Sequence, residues 1–353
     1  MRIGRVGSLL AACVVAGVLA APAAASGKDE EVARFYKGKQ VTMVIGSSTG
    51  GGYDLYGRLV ARHIGKYIPG NPTVVPQNMI GAASLVAAQY IYNVGAKDGT
   101  AIGAIYPQVV LDQLIGDKAS IKLDPRRLNY LGSANSEVYI CMVRADTPVK
   151  SLDDAMKTEV IMGATAPGSS SYDFPRLLNS VLGTKFRVVS GYPGNQQIAL
   201  ALEKREIDGT CGTGWSTLAS ARPHWLRDGF IRVIAQEGLK GSPELDAMRV
   251  PMAISYAKTP EQRQIMEIVY SQLLFGRPFV VAPEVPSERL DTLQTAFMSA
   301  LRDPELLAEA KKLNLEIIAM PGPEVRAMVE RLFSTPPEIV DRAKQVLQPA
   351  GKQ

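Results

Sequence analysis

The stretch from Val41 to Gly65, VTMVIGSSTGGGYDLYGRLVARHIG, decides how the rest of the chain is read. The apolar and β-branched run Val41 to Ile45 breaks into Gly46, Ser47, Ser48, Thr49 and three consecutive glycines, the pattern of a strand that enters a loop built for close approach. Leu55, Tyr56, Leu59, Val60 and Ile64 then recur at helical spacing, while Arg58, Arg62 and Lys66 fall four apart on another face. The element is therefore strand, glycine loop, helix. The first amides of such a helix have no partner within it and the macrodipole is positive there, so the loop suits an anion. No lysine or arginine lies between Val41 and Leu55. An anion bound to this loop would be held by backbone amides and by Ser or Thr hydroxyls. Asp54 has two open readings: an acid that complements the dipole of its own helix, or a carboxylate that accepts hydrogen bonds from a ligand.

Outward from this element, Pro69-Gly70-Asn71-Pro72 marks a turn, Thr73 to Pro76 an extended piece, Ala82 to Tyr92 a helix and Ala101 to Ile105 a strand. Alternating strands and helices imply a largely parallel sheet covered by helices, with ligands bound where strands end. Near Leu128 the pattern changes. A new alternating segment opens with Ser151 as the N-cap of a short helix, with Asp154 three residues on. Val160 to Ala164 reads as a strand, Thr165 to Tyr172 as a second small-residue loop and Asp173 to Leu182 as a helix, so the opening device is repeated. From Thr259 onward amphipathic helices dominate, and they are expected to pack back on the first unit. The expected division is one discontinuous domain, 27–136 plus 245–353, with a second, 137–244, inserted in it.

The chain has 353 residues and a formal charge of +5, with its basic residues scattered, so no nucleic-acid stripe appears. Arg2 and Arg5, an apolar run from Val6 to Ala21 and the small residues of Pro22 to Ser26 read as an export signal over residues 1–25. A competing reading is a lipid-modified Cys13 after Leu10-Ala11-Ala12. Without the signal, two cysteines remain, Cys141 and Cys211. In an oxidising compartment a disulfide and two buried thiols are both open.

Gly46-Ser47-Ser48-Thr49-Gly50 fits a nucleophile elbow, and Ser48, Asp208 and His224 supply the residue types of a hydrolase triad. Against this, the elbow would follow the first strand of the mature chain, leaving no earlier loop for an oxyanion hole. The loop lacks the Gly-Lys-Ser/Thr of a phosphate-binding loop, and His63 and His224 have no acidic neighbour at metal-ligand spacing. Neither a metal nor a cofactor is expected. Tyr53, Tyr106, Tyr192 and Trp215 each lie in or beside a loop at a strand end, which predicts a partly aromatic cleft.

Taken together, Gly50-Gly51-Gly52-Tyr53-Asp54, Pro76-Gln77-Asn78-Met79-Ile80-Gly81, Asp98-Gly99-Thr100, Pro167-Gly168-Ser169-Ser170, Gly191-Tyr192-Pro193-Gly194, Glu206-Ile207-Asp208-Gly209 and Ala282-Pro283-Glu284-Val285-Pro286 carry a resemblance. In their order and spacing, the chain resembles the solute-binding receptors of the tripartite tricarboxylate transporter family, the Bug-type periplasmic proteins. The resemblance implies a type II periplasmic-binding-protein fold: two α/β domains joined by two crossover segments, with the ligand cleft between them. It implies a carboxylate ligand held by the two strand-to-helix loops with few or no basic side chains. Matching positions are Ser47, Ser48, Thr49, Gly52, Tyr53 and Asp54 in the first loop, Gly168, Ser169 and Ser170 in the second, with Ala166 beside them, and Tyr192 and Gly194 in a third segment. The expected protein is a monomeric periplasmic receptor, not an enzyme, that closes on a small organic di-, tri- or aromatic carboxylate and delivers it to membrane permease subunits. The alternatives are a serine hydrolase on Ser48 and a receptor for a signalling partner.

Overall fold

A computed structural model describes residues 27–347 apart from Ser48, Gly51, 117–120 and Ala166, together with Met1. The export signal and the Cys13 alternative fall on residues outside this description.

The strands, in chain order, are β1 (Gln40–Ile45), β2 (Thr73–Asn78), β3 (Ala101–Ala104), β4 (Asn129–Ser133), β5 (Tyr139–Arg144), β6 (Val160–Gly163), β7 (Phe186–Val189), β8 (Gly209–Gly214), β9 (Ile231–Glu237), β10 (Pro278–Val281) and β11 (Met320–Pro321). The helices are α1 (Gly27–Tyr36), α2 (Gly52–Ile64), α3 (Leu85–Asn93), α4 (Gln108–Ile115), α5 (Leu152–Ala155), α6 (Ser170–Leu182), α7 (Asn195–Glu203), α8 (Trp215–Ala221), α9 (Pro223–Arg227), α10 (Pro243–Ala247), α11 (Pro260–Ser271), α12 (Ser287–Ala300), α13 (Pro304–Lys312), α14 (Gly322–Phe333) and α15 (Pro337–Leu347). No described helix is long and apolar enough to cross a membrane.

Two sheets result. The first has the order β11-β4-β10-β3-β1-β2 and the second β7-β6-β8-β5-β9. In the first, β1 runs parallel to β2 on one side and β3 on the other, and β10 enters antiparallel between β3 and β4. The chain passes to the second sheet between β4 and β5 and returns between β9 and β10, which makes two crossovers and a two-domain α/β fold of type II.

The second half of β1, Met43 to Ile45, is apolar on both faces because both are covered there. Met43 and Ile45 pack with Leu59 and Val60 of α2 and Phe297 of α12, while Val44 packs with Ala87, Ala88 and Ile91 of α3. Gly57 lets α2 settle on the sheet, since a Cβ there would lie 2.8 Å from the side chain of Ile45. His63, which reads as a helix-surface residue, is instead wedged at the contact of α2 with α13, its Nε2 2.8 Å from Glu309.

In the second sheet β5 lies between β8 and β9, and Cys141 of β5 is joined to Cys211 of β8 as a disulfide. Helices α12, α13 and α14 return to the first sheet and its helices. Helices α11 and α15 depart from the expected return, since both lie against α6, and α15 also touches α4. The buried stripe of α15 is Val340, Ala343 and Val346, and such a stripe fits any apolar face, so sequence alone does not choose its partner.

Candidate functional site

The two strand-to-helix loops are built alike. In the first, Gly50 takes a positive φ of 81° and its N–H donates to Asp54 Oδ2 at 2.8 Å. The other oxygen of Asp54 accepts from Arg58 Nε at 2.9 Å and from Asn78 Nδ2 at 2.7 Å, and the same amide of Asn78 donates to the Ser47 carbonyl. Burial works against the Asp54 charge, but the hydrogen bonds from Gly50, Asn78 and Arg58 outweigh it and hold the carboxyl below its ordinary range. In the second loop Gly168 takes a φ of 85° and donates to Asp173 Oδ1 at 3.3 Å. Here burial wins: the Asp173 carboxyl is pushed up to about 7 despite the Gly168 N–H and Arg176, with Asp112 adding to the rise. The loops are alike in geometry, and their carboxyls shift in opposite directions.

Between them lies a cavity of about 610 Å³. Five of the sequence-predicted residues line it: Tyr53, Tyr106, Gly168, Ser169 and Ser170. The rings of Tyr53 and Tyr106 stack with centroids 3.9 Å apart, and Ser170 Oγ donates to the Gly212 carbonyl at 2.8 Å. Other candidates stand off the wall. Asp54 gives its carboxylate to its own loop, Ser47 lends its carbonyl to Asn78, and Thr49 Oγ1 bonds Asn78 at 3.3 Å on the exposed side. Gly52 opens α2 behind the wall, where a Cβ would lie 3.7 Å from Arg277 Nη2. Tyr192 packs on the apolar cluster of α7 and β5, and Gly194 precedes α7 as its N-cap. Trp215 is buried elsewhere, its indole N–H donating to Glu244 at 2.7 Å, because the start of α8 points it toward α10. Ser48 and Ala166 lie outside the described residues.

The triad residues do not converge on this cavity. Asp208 accepts from the Ile161 N–H at 3.0 Å at the start of the second sheet, and His224 is exposed on α9 with its ring turned to Trp225.

Sequence reasoning missed the residues that carry charge into the cavity. Arg277, immediately before β10, is only 8 % exposed and lines the wall with Glu137 and Tyr139 from the other crossover. Its guanidinium stands 4.1 Å from the centre of the Tyr53 ring. Nη2 donates to Glu137 Oε2 at 2.9 Å and Nη1 to the Gly276 carbonyl, whereas Nε has no hydrogen-bond partner among the described residues. Burial disfavours this cation, yet Tyr53 and Glu137 keep its pKa above the ordinary arginine value. Burial also pushes the Tyr139 hydroxyl up to about 12. Glu137 spans both units, since its Oε1 accepts from Ser216 of α8 at 2.7 Å. The signal that could have found Arg277 is its setting, Phe275-Gly276-Arg277-Pro278-Phe279, a lone charge in an otherwise uncharged stretch that must be paired if buried.

No family model and no curated protein matches the sequence. Solved structures do match the fold. A TctC solute-binding protein from Polaromonas superposes with a TM-score of 0.66 at 16 % identity, over 87 % of this chain and 99 % of that one. MatC from Rhodopseudomonas palustris, with bound malate, gives 0.59 at 20 % identity over 88 % and 99 %. A second R. palustris protein, with adipate, gives 0.61 at 20 % over 87 % and 97 %, and the periplasmic binding protein BugD gives 0.60 at 18 % over 88 % and 98 %. The chain described here thus has the type II fold of the TctC and Bug periplasmic solute-binding proteins.

Proposed function

We propose that this chain is an exported periplasmic receptor that captures a small organic carboxylate by closing two domains over it, then presents it to a tripartite tricarboxylate-type permease. The observation that carries the reading is Arg277, a buried guanidinium at the wall of a cavity between the two loops, whose Nε has no hydrogen-bond partner among the described residues. A charge-assisted hydrogen bond from such a group contributes about 1.5–3 kcal/mol. The domains proposed are 27–136 with 245–353 and the inserted 137–244, with α11 and α15 of the first packing on α6 of the second. Tyr53 and Tyr106 would meet the ligand from the first, Ser169 and Ser170 from the second. Because only the closed state makes both sets of contacts, ligand shifts the population toward closure. The relatives crystallised with malate and adipate support a carboxylate.

Thermal unfolding across a panel of di- and tricarboxylates, aromatic acids, amines and neutral sugars tests this. A true ligand at about 100 times its Kd adds about 2.7 kcal/mol of stability, a rise of a few degrees in Tm. Stabilisation by amines or sugars and by no carboxylate would sink the reading.

A further inference from the structure

The cavity has a cationic part and an acidic part. Arg277 shares its surroundings with Tyr53, Tyr139 and Glu137. Asp112, on α4, lines the same cavity and accepts from Gln108 Nε2 at 2.9 Å, and the carboxyl it acts on is Asp173 of α6, which belongs to the other sheet's unit. The lining also includes the apolar side chains of Leu85, Ile121, Phe174 and Leu273, and the Tyr53–Tyr106 stack. Among the described residues lining the cavity Arg277 is the one cation, and Glu137 already pairs with it through Nη2, so a second added carboxylate would find no cation of its own. Burial raises the Asp112 carboxyl above its ordinary range despite the Gln108 hydrogen bond, so a second carboxylate beside it would either meet a like charge or oblige Asp112 to hold its proton.

We propose that Asp112 sets the ligand class: one carboxylate for Arg277, an apolar and preferably planar body, and an uncharged or cationic hydrogen-bond donor toward Asp112, with dicarboxylates rejected. The inference rests on the carboxylate reading above. It departs from the malate and adipate of the similar structures, which carry two carboxylates each.

A matched pair tests it: 4-hydroxybenzoate and terephthalate differ only in whether a hydroxyl or a carboxylate stands opposite the first carboxylate. In titration calorimetry on the mature chain freed of ligand, 4-hydroxybenzoate should bind at least tenfold tighter than terephthalate. Asp112→Asn, which keeps the shape and an acceptor for Gln108, should reduce that ratio at least tenfold. Equal or tighter binding of terephthalate to the unaltered chain overturns the inference while leaving the carboxylate reading intact, and an unchanged ratio in Asp112→Asn does the same. If neither acid binds but tyramine, which has the hydroxyl and an amine instead of the carboxylate, does, the carboxylate reading fails and the inference with it.

Discussion

Arg277 and Glu137 form a buried ion pair, and breaking one by deleting a partner typically costs about 3–5 kcal/mol. Arg277→Ala should therefore lower stability and abolish carboxylate binding together. Arg277→Lys is the sharper test: an ammonium keeps the charge but loses the planar face that stacks on Tyr53 and the Nε donor. We expect Arg277→Lys to stay folded by circular dichroism and to lose at least tenfold in affinity by calorimetry. Wild-type affinity in this variant would remove Arg277 from the ligand's partners. Two other buried carboxyls bear on pH. Asp173 is raised to about 7 and Glu237, buried and accepting only from the Gly212 N–H among the described residues, to about 8, both by burial. A carboxyl raised on folding takes up a proton, so its favourable share is complete below the unfolded value near 4 and is lost as pH rises through 7 to 8. The Tm should fall between pH 5 and 9, and Asp173→Asn should flatten that fall; an equal slope in the variant would contradict the assignment. Of these residues sequence showed little. The glycines and hydroxyls of the loops were legible because they sit beside their strand, whereas Arg277 reaches Tyr53 only through the return crossover, a contact between segments more than 200 positions apart.

At the scale of elements, the two loops can be separated into what strain does and what blockage does. Gly50 and Gly168 both have positive φ, and a Cβ on either would meet nothing within 4 Å. Replacing either by alanine therefore costs roughly 1 kcal/mol of backbone strain. Gly168 lines the cavity and Gly50 does not. Gly168→Ala should lose both stability and ligand affinity, and Gly50→Ala stability alone, by urea unfolding and calorimetry on the same preparations. Matching affinity losses in both would show that loop strain, not the cavity wall, governs binding. These loops were the readable elements, since a strand, a cluster of small residues and a helix follow in order twice. The cap of α5 was readable too: Ser151 Oγ accepts from the Asp154 N–H at 3.2 Å, and Asp154 in turn accepts from the Lys150 N–H at 3.0 Å. The seat of α15 against α6 was not, because amphipathicity names a buried face and not the surface that buries it.

For the whole molecule, the alternation of strands and helices gave two α/β units, while the order of strands within each sheet stayed out of reach of local pattern. That order has a consequence for assembly. β10 sits between β3 and β4, and β4 touches no strand of the first sheet other than β10 and β11. The second sheet is drawn wholly from one continuous stretch, β5 through β9. Closing the loop from β4 to β10 carries the entropy of a long connection, so the second sheet should form first and the first sheet should be completed late. Pulse-labelled hydrogen exchange during refolding should protect amides of β5, β8 and β9 before those of β4 and β10; simultaneous protection would argue against this order. A chain emerging from its amino end must hold β1 to β4 unfinished until β10 arrives. The contact of Tyr53 with Arg277 spans that wait, so the pocket is among the last features of the molecule to take shape.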